Sequence, residues 1–536
     1  MTDVISNPIL PGFNPDPSIC RVGDDYYIAT STFEWYPGVQ IHHSRDLKNW
    51  RLVARPLNRP DLLDMTGEPD SCGVWAPCLT YNEGLFYLVY TDVKRFDGNY
   101  KDTHNYVTTC ATIDGDWSSP VYMNSSGFDP SLFHDDDGRK WYVNMVWDHR
   151  RPGPTFFKGI DLQEYCPEQK KLMGPVHSIF PGSDLSFTEG PHLYKRNGYY
   201  YLITAEGGTG YNHAVTMARS KSLTGPYELH PIKHIITAKD TPDNKIQRAG
   251  HGDFVETQSG EVYHVHLCSR PLSLWGGKAA RSPMGRETAI QKMEWREDDW
   301  LWPIDGDCIP KAEIAIADLP PEMPSKAYAR HDFDETALPD EFQWLRVPDP
   351  SVFMSLTDRA GFLRLYGRES IGSWYKQALI ARRQQAFCFT ASTQVEFEPE
   401  HFQQMGGLVC YYNTHKFHYL YISRDETLGK VLNVMSCVGD QSWMLTFGLE
   451  QGIKLPDNVP VYLRAAVDFD KLQFSWSLDG TDWHLFPVTQ DYSLLSDEAG
   501  KGEGANFTGA FVGMCCQDVA GTGLHADFDF FEYIEW

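Results

Sequence analysis

The first half of the chain repeats one short pattern five times, and this repeat constrains the fold more than any other feature of the sequence. Each copy is a strand rich in Tyr or Trp that follows a turn. The copies recur about every 60 residues, a period that suits one four-stranded blade of a β-propeller. The strands cover residues 25–30, 85–90, 140–145, 199–204 and 262–267. The repeat therefore predicts an all-β chain that begins with a five-bladed β-propeller.

Residues suited to chemistry collect at one position of this repeat, about ten residues before each strand. In a propeller the blades are arranged radially, so equivalent positions meet at the mouth of the central channel. The residues found there are Asp16, Trp75, Asp129, Glu189 and His251. We therefore expect three carboxylates, an indole and an imidazole to converge.

Three acids in one place indicate hydrolysis of a sugar linkage. Neighbouring carboxylates raise one another's pKa, which costs stability unless function requires the arrangement. Glycoside hydrolysis uses one protonated carboxyl to release the leaving oxygen and one ionised carboxylate to activate water. Taken singly, Asp16 and Asp129 also suit ordinary turns, because Asp before Pro is common turn sequence. Their shared place in the repeat favours the catalytic interpretation.

Composition excludes some classes of partner. The net charge of -25 argues against nucleic-acid binding, which depends on clustered Lys and Arg. Aromatic residues make up 14% of the chain, which suits stacking on sugar faces but is also typical of packed blades and sandwiches. No apolar run approaches a membrane span, and residues 1–10 do not resemble a signal peptide. The twelve cysteines form no metal or disulfide pattern, so we expect a soluble, cytoplasmic protein with reduced thiols.

The second half of the chain predicts a different β architecture. Residues 303–324 are rich in Pro and acidic residues, as linkers are, and from about residue 327 long strands with polar alternation follow. The Asp479-Gly480 pair is a hairpin signal. We predict a propeller over 1–305, a linker over 306–326 and an antiparallel β-sandwich over 327–536. The sandwich could be a carbohydrate-binding module, a structural brace or a lid on the active site.

Six short motifs in the order found here resemble the family 43 glycoside hydrolases, in particular those with two domains that act as β-xylosidases. The motifs lie at 13–18, 30–35, 74–77, 127–131, 188–191 and 250–253. The resemblance covers essentially the whole chain and implies that the sandwich is concanavalin A-like. It implies an inverting, exo-acting β-1,4-xylosidase that releases xylose from the non-reducing ends of short xylooligosaccharides, with α-L-arabinofuranosidase side activity.

The resemblance also assigns roles to the three acids. Asp16 would be the general base and Glu189 the general acid, while Asp129 would position the acid and modulate its pKa. Each residue falls on a matching motif. We therefore expect a bell-shaped pH dependence that needs Asp16 ionised and Glu189 protonated.

The family pattern further implies a pocket for the terminal sugar. Phe33, Trp75 and Phe128 would shape it, and Phe507 would close it from the second domain, although the glycine-rich segment around Phe507 is also typical of a plain turn. Arg286 would contact sugar hydroxyls, because its planar donor fork can hold two vicinal hydroxyls and stabilise the ionised base. The alternative for Arg286 is a salt bridge with a neighbouring acid such as Glu287.

The remaining implications concern metal and assembly. Family members place a calcium ion or a water cluster beside the residue equivalent to His251. Calcium prefers oxygen ligands, so a hydrogen-bonded histidine that braces the channel is an equal alternative. No cofactor is required, any calcium is structural, and the resemblance suggests a homo-oligomer, either a dimer or a tetramer.

Three other functions compete with the xylosidase. A protein that is predominantly an α-L-arabinofuranosidase would present a similar pocket to similar hydroxyls. A retaining, fructosidase-like propeller enzyme would differ in the stereochemistry of its product. A non-catalytic sugar-binding protein would need aromatic platforms, but it would not need three acids at one channel mouth.

Overall fold

The structure is a computed structural model that describes residues 4–98, 100–272, 280–315, 317–324, 329–439, 445–502 and 504–536. The chain divides into two compact units. The first unit comprises Met1–Leu63, Cys72–Arg270 and Arg286–Ser325. The second comprises Asp64–Ser71, Pro271–Gly285 and Lys326–Trp536. The predicted boundary between linker and sandwich, at residues 326 and 327, lies outside the described residues.

The described part of the first unit contains five four-stranded antiparallel sheets, one further strand pair and the short strand Trp35–Tyr36. In chain order its strands are β1 (Val4–Ser6), β2 (Ser18–Val22), β3 (Asp25–Thr30), β4 (Trp35–Tyr36), β5 (Gln40–Ser44), β6 (Arg51–Ala54), β7 (Gly73–Asn82), β8 (Leu85–Arg95), β9 (Asp102–Cys110), β10 (Val121–Tyr122), β11 (Ser131–His134), β12 (Lys140–Trp147), β13 (Phe157–Cys166), β14 (Lys171–Phe180), β15 (Glu189–Arg196), β16 (Tyr199–Glu206), β17 (Ala214–Ser220), β18 (Glu228–Thr237), β19 (Gln247–Glu256), β20 (Val262–Ser269), β21 (Glu287–Trp295), β22 (Leu301–Pro303) and β23 (Glu313–Ala315). A short 3-10 turn covers Gly153–Phe156.

These sheets are the blades of the predicted propeller. The strand orders are β2-β3-β5-β6, β7-β8-β9-β10, β11-β12-β13-β14, β15-β16-β17-β18 and β19-β20-β21-β22. The repeated aromatic strand is the second strand of every blade, namely β3, β8, β12, β16 and β20. The first strands of successive blades lie side by side, and β19 also contacts β2, which closes the ring. The predicted five-bladed propeller is confirmed.

The N-terminal segment is tied to the last blade. Strand β1 pairs antiparallel with β23, with Ile5 opposite Ile314. The Asn7 side chain accepts a hydrogen bond from the backbone N–H of Ile290 at 2.8 Å and donates to the carbonyl of Lys311 at 2.8 Å. Because β23 lies within the stretch expected to be a linker, part of that stretch takes part in strand pairing.

The second unit is an antiparallel β-sandwich, as the sequence predicted. Its strands are β24 (Arg330–His331), β25 (Phe342–Leu345), β26 (Met354–Ser355), β27 (Leu363–Tyr366), β28 (Ala378–Arg383), β29 (Cys388–Glu396), β30 (Gln404–Asn413), β31 (Lys416–Asp425), β32 (Gly429–Val438), β33 (Leu445–Phe447), β34 (Ile453–Lys454), β35 (Val461–Asp468), β36 (Lys471–Ser477), β37 (His484–Asp491), β38 (Phe511–Asp518) and β39 (His525–Glu535). Short 3-10 turns cover Pro350–Val352 and Tyr492–Leu494.

Two sheets enclose the core of this unit. One has the order β26-β27-β39-β29-β35-β36-β37 with β24 beside β39, and the other includes β33-β32-β31-β30-β38-β28-β25 with β34 beside β32. Alternate residues of β35 are buried, because successive side chains of a strand point to opposite faces. Leu463 of the first sheet and Leu408 and Val512 of the second belong to one hydrophobic cluster.

Two short segments from the first 305 residues pack with the second unit. In the first segment, Asp70 accepts a hydrogen bond from the buried guanidinium of Arg346 at 2.8 Å, and the carbonyl of Glu68 accepts another at 2.6 Å. In the second segment, the backbone N–H of Ser282 donates to Glu498 at 2.9 Å. These polar contacts explain why the two segments group with the sandwich.

The sequence predicted neither a membrane span nor a disulfide framework. Among the described residues no helix is long and apolar enough to cross a membrane. All twelve cysteines lie in the described part of the chain, and none of them is joined to another in a disulfide bond.

Candidate active site

A shared backbone feature marks the equivalent position of each blade. At this position one residue of each blade has a positive φ, in a region that is uncommon for residues other than glycine. These residues are Asp16 (φ 53°), Ala76 (39°), Asp129 (54°), Gly190 (55°) and His251 (37°). In blades two and four the left-handed residue comes one position after the functional one, so Trp75 and Glu189 are shifted by one residue from the register that the sequence pattern predicted.

The Asp16 carboxylate is buried and held by donors on both oxygens. Arg286 donates to Oδ1 at 2.9 Å, and the Ser31 hydroxyl donates to Oδ2 at 2.6 Å. Burial raises the pKa of Asp16, but Arg286, His251 and Ser31 together lower it by more than burial raises it. The pKa of Asp16 therefore lies below its usual value. Asp16 is therefore the ionised member of the three acids, as a general base must be.

Asp129 lies close to the residues that flank Glu189. Its Oδ2 accepts a hydrogen bond from the backbone N–H of Gly190 at 3.1 Å. Burial and the negative charges of Glu189 and Asp16 raise the pKa of Asp129 well above its usual value. The three predicted carboxylates therefore interact electrostatically, and Asp129 contacts the backbone next to the predicted acid.

Glu189 begins β15 and has the properties of a general acid. Burial and the charge of Asp16 raise its pKa to about 8, against the opposing influence of Arg286 and Lys101. Burial lowers the pKa of Lys101 to about 8, although the charge of Glu189 raises it. At neutral pH the carboxyl of Glu189 is therefore protonated while that of Asp16 is ionised.

Aromatic rings form a continuous wall beside these acids. The ring centroids of Phe33 and Trp75 are 5.7 Å apart, and those of Trp75 and Phe128 are 5.5 Å apart, edge to face. The Arg286 guanidinium lies 5.3 Å from the centroid of Phe33. The structure thus brings together three predicted pocket aromatics and the predicted sugar contact. The alternative partner of Arg286 is occupied elsewhere, because the Glu287 carboxylate binds Arg270.

His251 lies close to two of the three acids. Its Nδ1 lies 3.8 Å from Asp16 Oδ1 and 3.8 Å from Asp129 Oδ2. Burial lowers its pKa to about 4, so the ring is neutral at neutral pH. Calcium takes about six to eight oxygen ligands, and in the described parts of the chain no group of three or more His, Cys, Asp or Glu is arranged to hold a metal. A calcium ion beside His251 stays a prediction.

Phe507 belongs to the second unit. Its backbone N–H donates to the Ser71 hydroxyl at 3.1 Å, and its side chain is half-buried. The predicted closure of the sugar pocket by Phe507 stays a prediction.

Sequence reasoning missed several residues of the site. Ser31 lies in the motif at 30–35 and was given no role, yet its hydroxyl donates to Asp16 and accepts a hydrogen bond from the backbone N–H of Ala76 at 2.7 Å. Lys101 lies outside all six sequence motifs, so no pattern pointed to it. The Lys101 ammonium lies 4.5 Å from the ring centroid of Trp147. The position of Ser31, directly after the repeated strand β3, was the signal that could have identified it.

Sequence profiles assign both halves of the chain. The profile described as "Glycosyl hydrolases family 43" matches residues 5–301. The profile described as "Beta xylosidase C-terminal Concanavalin A-like domain" matches residues 330–534.

Full-length relatives agree with these assignments. The chain is 53% identical to the xylosidase/arabinosidase 43B of Humicola insolens, over 99% of this chain and 97% of the relative. It is 48% identical to a β-xylosidase of Bacillus subtilis, over 99% of each. The crystal structure of a xylan β-1,4-xylosidase from Bacillus halodurans superposes with a TM-score of 0.95 at 51% identity, over 99% of this chain and all of the other.

Proposed function

This chain belongs to the family 43 glycosyl hydrolases, which act with inversion, and we propose that it is an exo-acting β-1,4-xylosidase. It would release xylose from the non-reducing ends of short xylooligosaccharides, with α-L-arabinofuranosidase activity on the side. The substrate class rests on the names of its full-length relatives, one a xylan β-1,4-xylosidase and one a xylosidase/arabinosidase.

One observation carries the mechanism: two buried carboxyls of one site have pKa values displaced in opposite directions. The pKa of Asp16 is lowered and that of Glu189 is raised to about 8. Pairs of titratable groups whose environments separate their pKa values in this way supply the base and the acid of a reaction. A protein that only binds sugar has no need of such a pair.

The proposed reaction moves two protons. Glu189 donates its proton to the glycosidic oxygen while the bond from that oxygen to the anomeric carbon breaks. A water molecule attacks the opposite face of the same carbon and gives its proton to Asp16. The products are xylose of inverted configuration and a shortened chain with a new hydroxyl, and solvent then resets the protonation of the two carboxyls.

The other residues orient these groups. Asp129 is proposed to hold the backbone at Gly190 and to keep the pKa of Glu189 high by its proximity. Arg286 stabilises the ionised form of Asp16 through the 2.9 Å contact and is proposed to reach sugar hydroxyls as well. Phe33, Trp75 and Phe128 would line the subsite for the terminal xylose, since apolar ring faces of this kind stack on sugars.

Three further parts of the proposal concern cofactors, assembly and location. The reaction requires no cofactor, because Asp16 and Glu189 handle both protons, and a calcium ion would have only a structural role. The resemblance suggests a dimer or a tetramer, and the sequence pattern predicts a cytoplasmic protein.

The test is proton NMR of xylobiose hydrolysis, in which the first xylose anomer is observed before mutarotation. Early α-xylose supports both inversion and xylosidase activity. Early β-xylose would overturn Asp16 as a general base. An absence of hydrolysis would direct the same assay to arabinofuranosides, and inertness towards both would favour a binding protein. Glu189→Gln is the matched control, because it should lose turnover while it retains sugar affinity.

A further inference from the structure

Glu206 is a fully buried carboxylate that ends strand β16 and has no part in the mechanism described above. Its oxygens accept hydrogen bonds from the backbone N–H of Ser183 at 2.7 Å, from the Thr188 hydroxyl at 2.8 Å and from the Thr216 hydroxyl at 2.9 Å. The Ser183 hydroxyl also donates to it. Four donors thus converge on one side chain.

Two of the donor residues lie on the loop that leads into the general acid. This loop spans residues 181–188, between the end of β14 and the start of β15 at Glu189. Ser183 lies near its beginning, and Thr188 directly precedes Glu189. The two strands also bring the acid close to Glu206, since Glu189 pairs with Ala205, the neighbour of Glu206. The carboxylate therefore joins both ends of the loop beside Glu189.

The loop has a conformation that needs such a restraint. Ser186 and Phe187 have φ values of 66° and 55°, in the left-handed region that is unfavourable for side chains of this kind. Strained residues persist only where the surrounding structure fixes them. The backbone N–H of Gly207 donates to the carbonyl of Ser186 at 2.9 Å, which attaches the middle of the loop to the residue after Glu206.

Close approach at Gly182 shows how tightly the loop is folded around the carboxylate. A Cβ atom at this position would lie 2.0 Å from Thr188 Oγ1 and 3.1 Å from Glu206 Oε1. Gly182 also has a φ of 92°, which glycine adopts without strain. The two ends of the loop therefore meet at Glu206 with no room for a side chain between them.

A carboxylate can accept from all four donors at once, whereas an amide would force at least one of the three hydroxyls to turn and accept instead. Catalytic groups need to be held within about 0.5 Å of their productive position. A change at Glu206 would therefore be transmitted along a short path, through Thr188, to the carboxyl of Glu189.

We propose that Glu206 is a positioning residue for the general acid: its carboxylate fastens the loop that carries Thr188 and thereby sets the position of the Glu189 carboxyl. The inference rests on the proposed function, because it assigns a task within proton donation by Glu189. A purely structural role for Glu206 in the fourth blade is the alternative.

Leaving-group dependence separates the two roles. The sugar alkoxide of xylobiose leaves only when it is protonated, whereas the phenolate of a dinitrophenyl β-xyloside leaves without help. Glu206→Gln is expected to lower kcat on xylobiose by about 10- to 100-fold and kcat on the dinitrophenyl substrate by less than about threefold, since general acid catalysis contributes about 10²–10⁴ in rate. Thr188→Val should show the same split with a smaller loss, and Thr188→Ser, which retains the hydroxyl, should restore wild-type values.

The matched control is another buried carboxylate of the propeller. Asp46 accepts hydrogen bonds from the backbone N–H groups of Lys48, Asn49 and Glu322 at 2.7–2.9 Å, and it belongs to the first blade. Asp46→Asn should lower stability without changing the ratio of the two rates.

Equal losses on both substrates in Glu206→Gln and in Thr188→Val, or no loss in either, would overturn the positioning role. If Glu206→Gln does not fold, the split in Thr188→Val decides the question alone. A wild-type enzyme inert towards xylobiose would overturn the proposed function and this inference together. Wild-type turnover with an unsplit loss in the variants would overturn only the role of Glu206.

Discussion

Removal of the Ser31 hydroxyl should raise the pKa of Asp16, the proposed general base, without changing the residues of the proposed sugar pocket. The hydroxyl donates to Asp16 Oδ2 at 2.6 Å inside a buried site. Burial by itself raises the pKa of Asp16, and the Ser31 bond is one of the contacts that bring it below the usual value. In Ser31→Ala the pKa of Asp16 should therefore rise. Since the base must be ionised, the acid limb of the pH–rate profile should move to higher pH.

The size of the shift follows from the strength of the lost bond. A hydrogen bond to a charged group is worth about 1.5–3 kcal/mol, and one pKa unit corresponds to about 1.4 kcal/mol. These values give an upper range of about one to two units. Arg286 still donates to Asp16 at 2.9 Å and still favours the ionised form. We therefore expect a shift of about one unit.

The assay is kcat/KM as a function of pH, because this quantity reports the pKa values of the free enzyme. Ser18→Ala is the matched control. Ser18 lies two residues after Asp16, is buried, and accepts the backbone N–H of Leu79 at 3.0 Å, as Ser31 accepts that of Ala76. Both variants lose an acceptor for one backbone N–H, but only Ser31→Ala removes a donor from the base.

The reasoning is refuted if the acid limb of folded Ser31→Ala coincides with that of the wild type. It is also refuted if Ser18→Ala moves the limb as far, since the shift would then report a general loss of packing.

Three further outcomes are expected. Asp129→Asn should move the alkaline limb of kcat to lower pH by about one unit, because Asp129 is proposed to keep the pKa of Glu189 high, and the charge of Glu189 in turn raises the pKa of Asp129; an unmoved limb would contradict the proposed role of Asp129. Lys101→Met should move that limb to higher pH by less than about one unit, since Lys101 lowers the pKa of Glu189. Arg346→Met should reduce the free energy of unfolding by about 3–5 kcal/mol, measured by thermal or denaturant unfolding, because it leaves Asp70 without its buried cation.

The propeller was predictable from sequence because its signal is local. The aromatic strands predicted to begin at residues 25, 85, 140, 199 and 262 begin at those residues in the structure. Each of them is the second strand of a blade and is largely buried, so each requires apolar residues and the same pattern appears in all five repeats. The grouping of segment 64–71 with the sandwich was not predictable. It depends on pairs such as Arg346 with Asp70, which lie 276 residues apart in the chain and leave no periodic pattern.

The same distinction applies to the site. The five positions before the strands were found because they recur, yet the register in two blades was displaced by one residue. The left-handed residues Ala76 and Gly190 precede Pro77 and Pro191, as Asp16 and Asp129 precede prolines, and an alignment on proline would have given the observed register. Glu206 could not be found in this way, since its importance comes from hydrogen bonds formed only in the folded chain.

The charges of the acid and the base depend on each other. Asp16 is one of the causes that raise the pKa of Glu189, so the ionised base helps to keep the acid protonated before the reaction. In the proposed reaction Asp16 takes a proton from water and Glu189 loses one. The neutral Asp16 then no longer raises the pKa of Glu189, which makes the ionised acid less costly in its buried position. Arg286 favours the ionised form of both carboxyls. The same cation therefore stabilises the charge on Asp16 before the proposed reaction and the charge on Glu189 after it. The site therefore accommodates the charge distribution at both ends of an inverting reaction without a change in its net charge.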